Sequence, residues 1–324
     1  MEKSLSPTRR VVLAAVSFVI GCVLLYTVGF QIQYRLGIWG VAVTELMILA
    51  IAIVSALFAR MDLREVFRMK APSGLEWLGS LAIFAGAFFA QYAISQLLNF
   101  IFPGSMVESN TAINEIVVSG GMVVAIIVVS ILPGICEEAW HRGYLLGSLS
   151  PLIRSVTARV LIMGVVFGLF HMDPSRFLQT MCLGIAFSFI RIKTDSMVAP
   201  MALHAGNNLL AVGMAFLLVT MMQSIPDSMM PSVEQSMQTG LSPLTLLALL
   251  LFAVALCVVF TTIGRHIFRV VEKRNRLKQT ASASAERPKV DLESNRRVYL
   301  TVTICGIVAL LSFFACIFSS FLRL

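Results

Sequence analysis

The sequence predicts an all-α, polytopic membrane helical bundle, with about 8 to 9 transmembrane helices around a polar cavity. Three observations lead there. Of the 324 residues, 58% are hydrophobic and 13% are charged, about half the roughly 25% charged content of a soluble domain. The apolar runs reach about 20 residues, the length that crosses a hydrocarbon core of roughly 30 Å. The Lys and Arg residues collect in alternate loops, as the positive-inside rule requires of a chain that crosses repeatedly.

Nine apolar segments carry the prediction: 11–30, 37–59, 77–102, 116–136, 155–171, 175–192, 197–222, 244–264 and 298–322. The first follows Lys3, Arg9 and Arg10; it is too long for a cleaved signal core and lacks a small-x-small exit, so it stays as a membrane helix. The second is followed by Arg60, Arg64, Arg68 and Lys70, the fourth by Arg142, Arg154 and Arg159, the sixth by Arg191 and Lys193, and the eighth by the basic stretch Arg265 to Arg297. With a cytoplasmic N-terminus these all lie inside, and Arg35, Arg176 and Arg323 are the only basic residues left outside. An integral protein, of the plasma (cytoplasmic) membrane, with its N-terminus in the cytoplasm and its C-terminus outside, is the expectation.

The +8 net charge therefore orients the chain and points to no nucleic-acid partner. The chain divides into N-terminal helices (1–115), a central core (116–222) and C-terminal helices (223–324), the last interrupted by a basic cytoplasmic linker, 265–297, read as solvated. That linker is a topology determinant, with attraction to anionic lipid as its functional alternative. No internal repeat or inverted pair of interrupted helices suggests a transporter. The six cysteines sit inside apolar runs without a CxxC pair and read as small buried hydrophobes.

Polar groups inside a bilayer are costly unless they face protein or water, which makes their positions informative. Nearly all fall in the core. The fourth segment ends in Glu137-Glu138-Ala139-Trp140-His141-Arg142, the fifth in Phe167-Gly168-Leu169-Phe170-His171, and the seventh begins with His204-Ala205-Gly206-Asn207-Asn208. If the fourth helix continues through Arg142, then Glu138 with Arg142 and Glu137 with His141 stand at i,i+4 and share faces. An intrahelical salt bridge would account for Glu138 but leaves Glu137 without a partner. His171 precedes Asp173-Pro174, a helix-start signal. His204 and Asn208, again at i,i+4, can aim donors at one point, or can clamp two helices. Glu45, alone in the second segment, is a structural hydrogen-bonder or part of a water-filled cavity.

The pattern EExxxR (Glu137, Glu138, Arg142), FxxxH (Phe167, His171) and HxxxN (His204, Asn208) resembles the CPBP membrane proteases, which include type II CAAX prenyl endopeptidases and proteins linked to bacteriocin processing or self-immunity. The likeness runs from about Val117 to Leu210. It implies an intramembrane endopeptidase whose catalytic set is Glu137, Glu138, Arg142, His171, His204 and Asn208, acting without a cofactor on a peptide or membrane-protein substrate in the lipid bilayer. A partly buried carboxylate can act as a general base at neutral pH, so Glu137, aided by His171, would activate water. His204 and Asn208 would stabilise the oxyanion, and Arg142 would hold Glu138 ionised and fix the helix.

The same residue types could bind zinc, with two histidines and a carboxylate leaving a position for water, although no HExxH is present. A Cys136 nucleophile is disfavoured by its two carboxylate neighbours. Two other classes compete with the protease: a catalytically silent membrane scaffold or bacteriocin self-immunity protein of the same fold, and an ion pathway, which would need polar residues spread across the bilayer. The depth of His171 is a further test. A full crossing by the fifth segment would separate it from Glu137, so the fifth and sixth segments are expected to join inside the protein, with Gly164 and Gly168 allowing close approach and His171 within a few Å of Glu137.

Overall fold

A computed structural model describes residues 5–102, 119–229, 241–281 and 292–321. Among these the chain is an all-α polytopic bundle: α1 (Pro7–Leu36), α2 (Ile38–Phe58), the short α3 (Leu63–Val66), α4 (Gly74–Ile101), α5 (Met122–Leu149), α6 (Val156–Phe170), α7 (Pro174–Thr194), α8 (Val198–Gln223), α9 (Pro243–Ala281) and α10 (Leu292–Phe321). Each predicted segment lies on one of the nine longer helices; residues 116–118 of the fourth and 322 of the ninth lie outside the described residues. Six helices, α1, α2, α4, α5, α8 and α9, are long and apolar enough to cross a membrane, while α6 and residues 300–313 of α10 are shorter apolar stretches. The protein is an integral membrane protein. Its many exposed apolar side chains, such as Val19 and Val23 on α1 or Leu217 and Met221 on α8, suit contact with lipid.

Local chemistry sets the ends. Ser73 accepts from the Glu76 amide and Glu76 from the Ser73 amide, a capping box at the start of α4. Asp173 caps α7 through the Ser175 amide, with Pro174 in the first turn, where a missing N–H costs nothing. Between α6 and α7 the chain turns through Met172 at φ 47°, so the two helices return against each other. Glycines bring them close: a Cβ on Gly164 would lie 2.5 Å from Ile185 Cγ1, and one on Gly184 would lie 2.8 Å from Phe167 Cβ. Gly184→Val is accordingly expected to force α6 and α7 apart and to destabilise the protein by about 1–3 kcal/mol, the usual cost of overpacking; a thermal unfolding midpoint equal to that of the wild type would contradict this.

Two buried clusters surround the central helix α5. On one side Ala14 of α1 and Ile48, Ala52 and Ala56 of α2 pack on Cys136, Ala139 and Trp140; Gly21 of α1 lies against the Trp140 ring, where a Cβ would come within 2.5 Å. On the other, Phe167, Phe187, Leu203 and Phe268 join α6, α7, α8 and α9. The basic stretch 265–297 departs from its expectation as a solvated linker. Residues up to Ala281 continue α9, Phe268 and Val271 are buried, and Lys193 pairs with Glu272 at 2.5 Å. The reason is composition: Arg, Lys, Glu, Gln and Leu are good helix formers, and the apolar residues between them find a groove. Residues 282–291 lie outside the described residues. At this end of the bundle Arg68 and Arg191 also meet Asp195, at 2.8 and 3.2 Å, so basic segments assigned to one side from sequence do cluster at one end.

Candidate active site

The fourth predicted segment does not stop at Cys136. It continues as helix through Glu137, Glu138, His141 and Arg142 to Leu149, with a π-helical stretch over Ala139–Leu145. Such widened turns recur at functional sites. Every residue from Cys136 to Leu146 is buried, which is unusual for a run holding two glutamates, a histidine and an arginine.

Glu138 and Arg142 form the predicted i,i+4 pair, Oε1 to Nη1 at 2.8 Å, with neither side chain accessible. What local spacing could not show is that the pair reaches three other helices. Arg142 Nη2 donates to the Gly184 carbonyl of α7 at 3.3 Å, and its guanidinium lies 4.3 Å from the Phe167 ring centroid and 5.3 Å from that of Phe187. Glu138 Oε1 also accepts from His204 Nδ1 of α8 at 2.8 Å. The approach of α8 is built from small groups. A Cβ on Gly134 would lie 2.9 Å from Ala205 Cβ, and Ser130 Oγ donates to the Ala205 carbonyl at 2.7 Å.

Three histidines are held in one manner. His141 Nδ1 donates to the Glu137 carbonyl and His171 Nδ1 to the Phe167 carbonyl, each at 2.8 Å; His204 Nδ1 is tied to Glu138. A carbonyl or carboxylate oxygen can only accept, so Nδ1 carries the proton and Nε2 is left for other chemistry. His204 Nε2 lies 3.8 Å from Glu137 Oε2. That Glu137 oxygen, and His141 Nε2, are buried and accept or donate no hydrogen bond among the described residues.

Phe167 is the meeting point. It is 1% exposed, and its ring centroid lies 4.9 Å from His171, 5.0 Å from His141 and 5.7 Å from His204. The α6–α7 turn therefore delivers His171 to the same ring that His204 and Arg142 touch. His171 Nδ1 is held by the Phe167 carbonyl one turn back on α6. Asn208, half-buried one turn after His204, accepts from Asn207 Nδ2 at 3.3 Å through Oδ1, which leaves its own amide protons to donate elsewhere. No hydrogen bond joins it to the Glu138–Arg142–His204 group. Phe187 and Gly184 belong to this arrangement although nothing in the sequence singled them out, and Phe167 and His141, visible in the FxxxH motif and the i,i+4 pairing, join it through ring contacts; an aromatic or glycine in an apolar helix looks the same whether it packs or frames a site.

Among the described residues, no group of three or more His, Cys, Asp or Glu side chains is placed to hold a metal ion.

Fold and site together define a helical membrane protein with a buried Glu, His and Arg centre at the junction of four helices. Residues 119–210, the segment that holds the whole of this centre, match the family model described as Rce1-like, type II CAAX prenyl endopeptidase Rce1-like. That segment is similar to the Rce1-like family, which agrees with the CPBP resemblance of the three motifs and is a family of CAAX-type intramembrane proteases. No curated protein and no solved structure matches the chain.

Proposed function

We propose that the protein is an intramembrane endopeptidase in which Glu137 activates water, working on a peptide or membrane-protein segment within the bilayer. The observation that carries this reading is the contrast between two adjacent carboxylates. Glu138 is held through Oε1 by Arg142 and His204 at 2.8 Å each, its Oε2 being buried and unbonded among the described residues, whereas the approach of His204 Nε2 to Glu137 Oε2 is looser, at 3.8 Å, and that oxygen is buried and accepts no hydrogen bond among the described residues. One carboxylate is structural and its neighbour is left for chemistry.

The reaction balances within the site. Glu137 removes a proton from water as the oxygen attacks the scissile carbonyl carbon, and the carbonyl oxygen becomes an oxyanion. The C–N bond then breaks, and the proton on Glu137 passes to the leaving nitrogen. When the His204 ring carries both protons, Nε2 can donate to the oxyanion alongside Asn208 Nδ2. Glu138 holds that ring in place as a second carboxylate holds a catalytic histidine elsewhere. His171, with Nδ1 anchored and Nε2 available, aids Glu137. The basic residues at one end of the bundle support a plasma-membrane protein with its N-terminus in the cytoplasm.

The test compares proteomes of membranes from cells carrying wild-type protein or Glu137→Gln. A peptide that accumulates uncut only with the variant supports the peptidase; an unchanged phenotype and unchanged peptides support the silent scaffold or immunity protein. Activity on that peptide is expected to persist in EDTA, because a carboxylate that activates water needs no metal. Loss in EDTA with recovery on adding zinc would reverse this.

A further inference from the structure

Glu45 is the one charged residue of α2 within the Ile38–Phe58 span, and the mechanism above does not use it. It is 6% exposed, and its Oε2 accepts no hydrogen bond among the described residues. A buried carboxylate in an apolar helix is costly without a partner and calls for a functional account. Its placement is set by packing. Ile48, Ala52 and Ala56 continue the same face of α2 at helical spacing, and they lie in one buried cluster with Cys136, Ala139 and Trp140 of α5. The helices run in the same direction, since Ile38 meets Gly120 near their starts and Phe67, just beyond α2, meets Gly143. Glu45 is thus turned toward the part of α5 that carries Glu137.

Two buried carboxylates, 6% and 8% exposed, each hold an Oε2 that accepts no hydrogen bond among the described residues, on two helices packed along one seam. A water molecule has two hydrogens to give, and a buried water is held by two to four polar partners. We infer that Glu45 is a further catalytic residue, the second acceptor for the attacking water: one hydrogen goes to Glu137 and the other to Glu45, so that the oxygen lone pair is turned toward the scissile carbonyl. Only the proton directed at Glu137 leaves in the attack, and the one on the Glu45 side stays with the oxygen, so the balance of the reaction is unchanged. Orientation of a nucleophile by this means acts on turnover and leaves peptide binding alone.

This inference rests on the peptidase reading, and the experiment separates the two. The probe is the peptide that accumulates uncut in Glu137→Gln membranes, synthesised with a fluorophore and quencher across the cut. Wild-type, Glu137→Gln, Glu45→Gln and Glu45→Leu proteins are compared in liposomes for kcat, KM and thermal midpoint. Glu45→Gln keeps the shape and can still hydrogen-bond, but its neutral amide oxygen is a weaker acceptor than a carboxylate and its NH2 competes for the same place. The expected result is a kcat at least about 10-fold lower, with KM within about 2-fold and the midpoint unchanged. A Glu45→Gln protein with wild-type kcat, beside a Glu45→Leu protein that melts early, makes Glu45 a structural hydrogen-bonder and overturns the inference while the inactivity of Glu137→Gln keeps the peptidase. Full activity of Glu137→Gln overturns both. Should Glu45→Gln fail to fold, Glu45→Asp decides: it retains the acceptor but withdraws it by one methylene, so a lowered kcat at an unchanged midpoint supports the role and a wild-type kcat overturns it.

Discussion

Glu137→Gln is expected to lower kcat on the accumulated peptide by about 10²–10⁴-fold, the usual contribution of a positioned general base, with no loss of thermal stability. The two halves of that result have separate physical origins. Glutamine has nearly the volume of glutamate, and the Glu137 Oε2 that it alters is engaged by nothing among the described residues, so no hydrogen bond at that atom is broken. The packing of Cys136 and Ala139 on α2 is likewise untouched. An amide, however, cannot take the proton from water. Calorimetry or a dye-based melt beside the kinetics checks both parts; a fall in activity accompanied by an equal fall in folded protein would move Glu137 into the structural class.

Arg142→Ala is expected to do the reverse, destabilising the bundle by about 3–5 kcal/mol, the range found when one partner of a buried pair is removed. The substitution strands Glu138, which is inaccessible and held from both sides by Arg142 and His204. It also removes the bond to the Gly184 carbonyl and the contact with the Phe167 and Phe187 rings, so α5 loses its tie to α6 and α7 in one step. The double substitution Arg142→Met with Glu138→Leu is expected to recover part of the stability, because neither charge is then buried alone; the recovery stays incomplete while His204 Nδ1 lacks its acceptor. Thermal midpoints of the three proteins in one detergent provide the check. A single variant as stable as the wild type would show that the pair contributes nothing.

Much of this was legible in the chain because a bilayer imposes simple rules. Apolar length finds the nine helices, and the Glu138–Arg142 pair follows from i,i+4 spacing alone. The bond between Glu138 and His204 spans 66 positions, and nothing in either segment encodes which histidine nitrogen would face which glutamate. The extension of α5 past Cys136 was left open by the sequence for a related reason: hydropathy ends a segment where charges begin, whereas here the charges are buried by neighbouring helices. The same bias made residues 265–281 look like a solvated linker, since their basic count outweighs Phe268 and Val271. Glu45 was visible as an anomaly from the start, but its neighbour was not, because α2 and α5 meet only through tertiary packing.

The claim that this chain is itself a peptidase is tested most directly by purified protein in liposomes that contain the accumulated peptide and no other protein, with the products read by mass spectrometry. The account predicts that wild-type protein generates a new C-terminal carboxylate and a new N-terminal amine at one peptide bond, and that Glu137→Gln liposomes match empty ones. Wild-type protein that binds the peptide and leaves it whole, or Glu137→Gln protein that cuts it at the wild-type rate, would contradict the account.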